Sequence, residues 1–264
     1  MILCASVASK LLGIVLSFTL LTALSGCSSS DDDGPAWWSS EVSQCSINDD
    51  QRASFMAPPH NSQMTIVVDN LIANDPTHGQ SWMNGIQRAA QKWNDFGQQI
   101  RGSDFFTIQT GDLPDDLRSS RFADCQIQDA GTENHFYMML ETNQQHWVDS
   151  GFSNAIPGAT VRCYLNKQLT DQVIMVKPDL VRDDQFMSVV LHEMGHSLGL
   201  DHSCVAGGAT NYANCSDIEP DTQHPYFLAV MFPMLVSDQT FQQTGAPIKE
   251  DLQPNDMDRA KCFY

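Results

Sequence analysis

Residues 192 to 202 read HEMGHSLGLDH, three histidines, one glutamate and two glycines within eleven positions. They close a longer run, DDQFMSVVLHEMGHSLG over 183 to 199, which has no internal proline and predicts a helix with Asp183 or Asp184 able to cap its exposed amides. His192 and His196 are four apart, so on that helix both imidazoles share one face, one turn above the other. Gly199 suits the left-handed residue that stops a helix, and the turn it permits brings His202 back under the other two. Three neutral imidazoles at about 2.0–2.1 Å leave the fourth position of a tetrahedral zinc ion open to water, the pattern of a catalytic rather than a bracing site. Glu193, next to the first ligand, can then take a proton from that water. A bracing zinc would close with four protein ligands and would leave Glu193 without a role. A downstream glutamate such as Glu219 as third ligand would do the same to Gly199 and His202.

Working outward, the region from 63 to 264 patterns as one domain of mixed structure, a normal size for one core. MTIVVDN (64 to 70) predicts a first strand. SWMNGIQRAAQKWNDFGQQI (81 to 100) repeats Trp82, Ile86, Ala89 or Ala90, Trp93 and Phe96 at three- and four-residue steps, a helix with a core-facing stripe. FFTIQT, HFYMML, ATVRCYL and QVIMVKP are short β-branched and aromatic runs bounded by breakers, and predict four further strands. Another helix is expected from Pro254, a residue suited to a first helical turn. His60, His78 and His224 have no partners at ligand spacing and are expected at the surface.

The chain carries 14 basic and 32 acidic residues, a formal charge of −18, which repels a phosphate backbone and argues against nucleic acid as a partner. Residues 1 to 27 stand apart. One lysine, Lys10, precedes a 14-residue apolar run, LLGIVLSFTLLTAL, which is too short to span a bilayer comfortably but right for a signal peptide. The flanking LSGC (24 to 27) resembles the bacterial lipobox, which implies that Cys27 is lipidated. Ser28 after it implies the outer membrane, facing either the periplasm or the surface. The expected organisation is therefore a lipoprotein signal over 1–27, a Ser- and Asp-rich flexible tether over 28–62, and the domain over 63–264. Contact with the membrane is expected through the lipid alone, and the protein is expected to be a monomer.

Export to an oxidising compartment predicts disulfides among the remaining cysteines, Cys45, Cys125, Cys163, Cys204, Cys215 and Cys262. Six cysteines allow 15 pairings, and sequence does not choose among them. Cys204 with Cys215 would close a local loop; Cys125 with Cys163 and Cys45 with Cys262 complete the expected set.

The zinc pattern H-E-x-x-H-x-x-G-x-x-H resembles that of the metzincin metalloproteases at every fixed position. AVMFP (229 to 233) looks like that clan's methionine turn, which implies that Met231 lies beneath the metal as an apolar floor. Ser203, the Met-Phe-Pro turn, AAQKWNDF (89 to 96) and the closing LQPNDMDRAKCFY (252 to 264) are most similar to the matrixin, or matrix metalloproteinase, group. The resemblance touches both ends of the domain and leaves the middle poorly aligned. It implies an α+β metzincin-like (zincin) catalytic domain: a mixed twisted sheet of about five strands, three main helices, and a zinc cleft below an edge strand. It implies one catalytic zinc, a protein or peptide substrate, and hydrolysis by a metal-activated water with Glu193 as general base. Neither the group's cysteine propeptide switch nor its second zinc cluster is recognisable, and no residues speak for a structural calcium. Two readings compete: a non-catalytic surface-binding lipoprotein on a protease-like scaffold, and a zinc amidase acting on cell-wall peptides. The walls of a specificity pocket are expected within 232 to 244.

Overall fold

Alternation along the first strand decides how the sheet is covered. In β1 (Met64–Asp69), Met64, Ile66 and Val68 point into one buried cluster while Val67 packs against another. The same division runs through β3 (His135–Leu140), where Phe136 and Met138 face the first cluster and Tyr137 and Met139 the second. Successive side chains of a strand point to opposite faces, so strands apolar at both sets of positions must be covered on both faces. The computed structural model describes residues 63–115, 117, 135–153, 156–165, 168–204, 214–233, 248–261 and 264. The signal peptide and Cys27, the tether and its two tryptophans, His60, Cys45, Cys125 and Cys262 lie outside that range.

The architecture is α+β, with a mixed five-stranded sheet in the order β2-β1-β3-β5-β4. β2 (Phe106–Gly111), β1, β3 and β5 (Gln168–Val176) run parallel. β4 (Gly158–Leu165) is antiparallel to β5 and forms one edge. All five predicted strands are present. Seven α-helical segments are described: α1 (Asn70–Ala73), α2 (Gly79–Arg101), α3 (Gln144–Asp149), α4 (Asp183–Ser197), α5 (Cys215–Ile218), α6 (Pro225–Leu228) and α7 (Pro254–Ala260). None of the described helices is long and apolar enough to cross a membrane.

The stripe predicted for α2 is buried in full, from Trp82 to Phe96. It packs on α4, with Trp82 stacked on Phe186 at 5.0 Å between ring centres and Trp93 Nε1 donating to Leu191 O at 3.0 Å. Asn94, also on α2, faces the entry to β2, accepting from the amides of Phe105 and Phe106 and donating to Phe106 O. A buried amide satisfied in this way fixes α2 against the entry to β2, because each of its groups would be costly to leave unpaired.

The expected cap of α4 is not found. Its N-cap is Arg182, with no side-chain cap, and Asp183 and Asp184 lie within the first turn. The Asp183 carboxylate instead accepts from Trp82 Nε1 at 3.1 Å and pairs with His78 at 2.8 Å. A local cap has lost to a tertiary contact that joins the two long helices. His78 is correspondingly stacked on Trp82 rather than simply exposed, and His224 caps α6 by accepting from Tyr226 N at 3.1 Å.

Candidate metal centre

α4 departs from the usual amphipathic surface helix. Every residue from Phe186 to Gly195 is buried, polar ones included, because α2 covers one flank, the sheet another and the segment 229–233 a third. Beyond Ser197 the chain turns at Gly199, whose φ of +92° is the left-handed conformation that glycine adopts without strain. That turn returns His202 to the other two histidines, as the spacing predicts.

The three rings converge. His192, His196 and His202 have centroids 4.8, 4.9 and 5.2 Å apart pairwise, and one ligand atom from each lies within 4.8 Å of the others. In a tetrahedral site, nitrogens about 2.1 Å from zinc lie about 3.4 Å from one another, so the rings share an ion once the widest gap closes by about 1.4 Å, a movement within reach of side-chain rotation. Backbone carbonyls fix the tautomers of two of them. His192 Nδ1 lies 2.7 Å from Val230 O, and His196 Nδ1 lies 2.8 Å from Leu200 O. A carbonyl can only accept, so Nδ1 carries the proton in each ring and the Nε2 lone pair is left for a metal. Burial drives His192 down to about 3 and His196 well below the ordinary histidine range, so both rings are neutral near pH 7. His202 is exposed, which leaves the site open on that side. The three histidines could therefore bind a metal such as zinc, and among the described residues Glu219 does not join them.

The supports of this cluster come from distant sequence. Ala229 to Phe232 form a turn, closed by Phe232 N to Ala229 O at 3.1 Å, with Met231 fully buried inside it. The Met231 thioether lies against Gly195, where an added Cβ would overlap the sulfur. Asp256, at the start of α7, accepts from Val230 N, Met231 N and Gln253 N at 2.8, 3.0 and 3.0 Å. Arg259, one turn on, donates to Asp201 O at 2.8 Å and His202 O at 3.2 Å. α7 thus holds both the methionine turn and the segment that carries the third histidine. Ser203 N donates to Met231 O at 2.8 Å, joining the two directly. Lys249 Nζ donates to Phe227 O and Ala229 O, and its backbone exchanges hydrogen bonds with Ser188 Oγ on α4.

Glu193 is buried beside His192 and faces β4. Thr160 Oγ1 lies 2.7 Å from Glu193 Oε2 and 3.0 Å from Glu193 O. Burial pushes the carboxyl up to about 7, opposed by the Thr160 hydrogen bond and the Arg162 charge. Arg162 Nη1 donates to His196 O and Gln172 Nε2 to Ser197 O, both at 3.0 Å, so side chains of β4 and β5 satisfy carbonyls at the end of the histidine-bearing helix. The cleft between β4 and α4 has about 740 Å³ of empty space, open solvent included, and is lined by Ile156, Pro157, Val189, the three histidines and Glu193. Pro233 also lines it, within the segment expected to wall a specificity pocket; residues 234–247 lie outside the described range.

Cys204 and Cys215 form a disulfide with a Cα–Cα separation of 5.1 Å, closing the loop that follows His202. Each of the other two expected pairings involves a residue outside the described range. Sequence reasoning missed Thr160, Lys249, Asp256 and Arg259. Asp256 had a local signal, the third helical position after Gln253, where a carboxylate closes a capping box. Nothing local indicated that the same carboxylate would also accept from residues 25 and 26 positions earlier.

No protein-family model matches the chain, and no curated protein matches it. Among solved structures it is similar to one titled "Structure of Myroilysin", with 14% identity and a TM-score of 0.35, over 78% of this chain and 81% of that one. A likeness that loose carries no weight for function, which is read from the site itself.

Proposed function

We propose that the protein is a zinc-dependent endopeptidase of the metzincin type, most similar to the matrixins, acting on extracytoplasmic proteins. The convergence of His192, His196 and His202 beside the buried carboxylate of Glu193 carries this reading. The three imidazoles would hold the ion, His192 and His196 through Nε2, and a zinc ion there supplies Lewis acidity, polarising a peptide carbonyl and lowering the pKa of water towards about 7. Glu193 takes a proton from the attacking water and returns it to the leaving amine. The outer edge of β4 offers main-chain groups to an extended peptide, and the cleft beneath receives its side chains. Met231 and Gly195 pack against each other under the site and limit movement of the helix that carries two of the ligands. Cys27 is the lipid anchor in this reading, with residues 28–62 as the tether and the outer membrane as the location.

Replacing Glu193 with Gln keeps the size and removes the base. The expected outcome is full zinc occupancy with casein hydrolysis reduced by about 10²–10⁴-fold. His202→Ala should instead lower zinc content itself, and a chelator should abolish the wild-type activity. A zinc-replete Glu193→Gln protein that digests casein at the wild-type rate rules the mechanism out. A wild type inert towards every protein substrate points to the surface-binding alternative.

A further inference from the structure

We infer that Thr160 is a positioning residue for Glu193, acting from the very strand along which a peptide would lie. The inference rests on the reading of Glu193 as the base. Ala159 and Val161 point to the cluster on the far face of the sheet, so Thr160 between them points towards α4. Its hydroxyl carries one hydrogen and has two acceptors in reach, Glu193 Oε2 at 2.7 Å and Glu193 O at 3.0 Å. The carboxylate oxygen is the nearer and, when charged, the stronger partner. Gly158, two residues earlier on the same face, has the complementary role: a Cβ there would come within 3.0 Å of Glu193 Oε1 and 2.7 Å of Val189 Cγ1. One carboxylate oxygen is therefore anchored by a side chain, while the other lies against backbone that has no side chain to cover it.

Both residues and Glu193 line the same cleft. A glutamate side chain has three rotatable bonds, and a base must stay within hydrogen-bond reach of the proton it takes. The Thr160 contact restricts that freedom. Because β4 is the sheet edge, a peptide paired to it bears on the backbone that carries positions 158 and 160, so substrate docking and orientation of the base share one structural element.

The test compares zinc-loaded wild type, Thr160→Val and Thr160→Ser on a peptide that the wild type cleaves. Valine keeps the shape and deletes the donor; serine restores the donor. The expected result for valine is a kcat lower by about tenfold or more, with KM, zinc content and melting temperature near wild type, and recovery of most of the loss with serine. Crystal structures of the zinc-loaded proteins supply a readout independent of activity. Glu193 should occupy one rotamer in the wild type and the serine variant and several in the valine variant. An unchanged kcat in the valine variant overturns the inference, as does a serine variant as slow as valine. If the valine variant fails to fold, a zinc-loaded wild-type crystal structure with Thr160 Oγ1 beyond hydrogen-bond distance of Glu193 also overturns it. A wild type that cleaves no peptide refutes the protease reading instead, a distinct outcome.

Discussion

The two long helices pack against each other and are built on opposite principles. α2 buries an apolar stripe with Asn94 as its one buried polar side chain and leaves its charged residues outside, so its stability rests mainly on area removed from water. α4 is enclosed on several sides and buries Ser188, His192, Glu193 and Ser197 among its apolar residues. Each of those polar groups is tolerated because a partner satisfies it: the Lys249 backbone for Ser188, Val230 O for His192 and Thr160 for Glu193, all from elsewhere in the chain, and the helix's own backbone for Ser197. The first helix can lose a contact and merely weaken. The second couples stability to chemistry, because the groups that satisfy it also shape the site.

The sharpest test of that contrast is Asp256→Leu. It strips three amides of their buried acceptor and removes one of the two carboxylates, Asp256 and Asp201, whose charges offset that of the Arg259 guanidinium, itself 1% exposed. We expect a loss of about 3–5 kcal/mol in chemical denaturation and zinc affinity weaker by about 10–100-fold. If stability falls and affinity of the folded protein does not, the coupling assigned to α4 is absent. Ile86→Ala in α2 should cost about 2–5 kcal/mol by the cavity it opens. Zinc affinity of the folded fraction should be unchanged, and a comparable drop in that affinity would erase the distinction between the helices. Gly195→Ala pushes a methyl group into Met231 and Trp93. It should cost about 1–3 kcal/mol and weaken zinc binding, measured by competition with a chromogenic chelator.

The smallest effect concerns pH. Burial holds the Lys249 ammonium down at about 8, against an ordinary value of 10.5. Below pH 8 it is protonated in both folded and unfolded chains and contributes no slope. Between about 8 and 10.5 the unfolded chain binds more protons, so this group makes the protein more stable as pH rises. Wild type should therefore gain on Lys249→Met between pH 7.5 and 10 in urea melts, on the order of 1 kcal/mol. A gap that stays constant means that the ammonium is not desolvated in the folded state.

Much of the fold was legible because it depends on local periodicity. Each predicted strand and long helix appears where alternation or the three- and four-residue step places it, and Pro254 opens α7 as a first-turn proline should. The cap of α4 was misread because Asp183 has a better use across the interface, with Trp82 and His78. His78 and His224 do lie at the surface, half-buried, but each has a structural role there that the sequence reading left out. A ring with no metal partner can still stack on an indole or cap a helix, and neither role has a ligand-like spacing.

The sequence by itself determined the spacing of the histidines along one helix face, the glycine that turns the chain, and the short loop that Cys204 and Cys215 close. Those are relations among near neighbours, and a helix or turn converts them into geometry without help from the rest of the chain. Only the tertiary structure decided which carbonyls set the imidazole tautomers, which carboxylate holds the methionine turn, and which hydroxyl faces Glu193. Buried polar groups must find partners wherever the packing brings them, and packing brings together residues whose distance along the chain has no period to read.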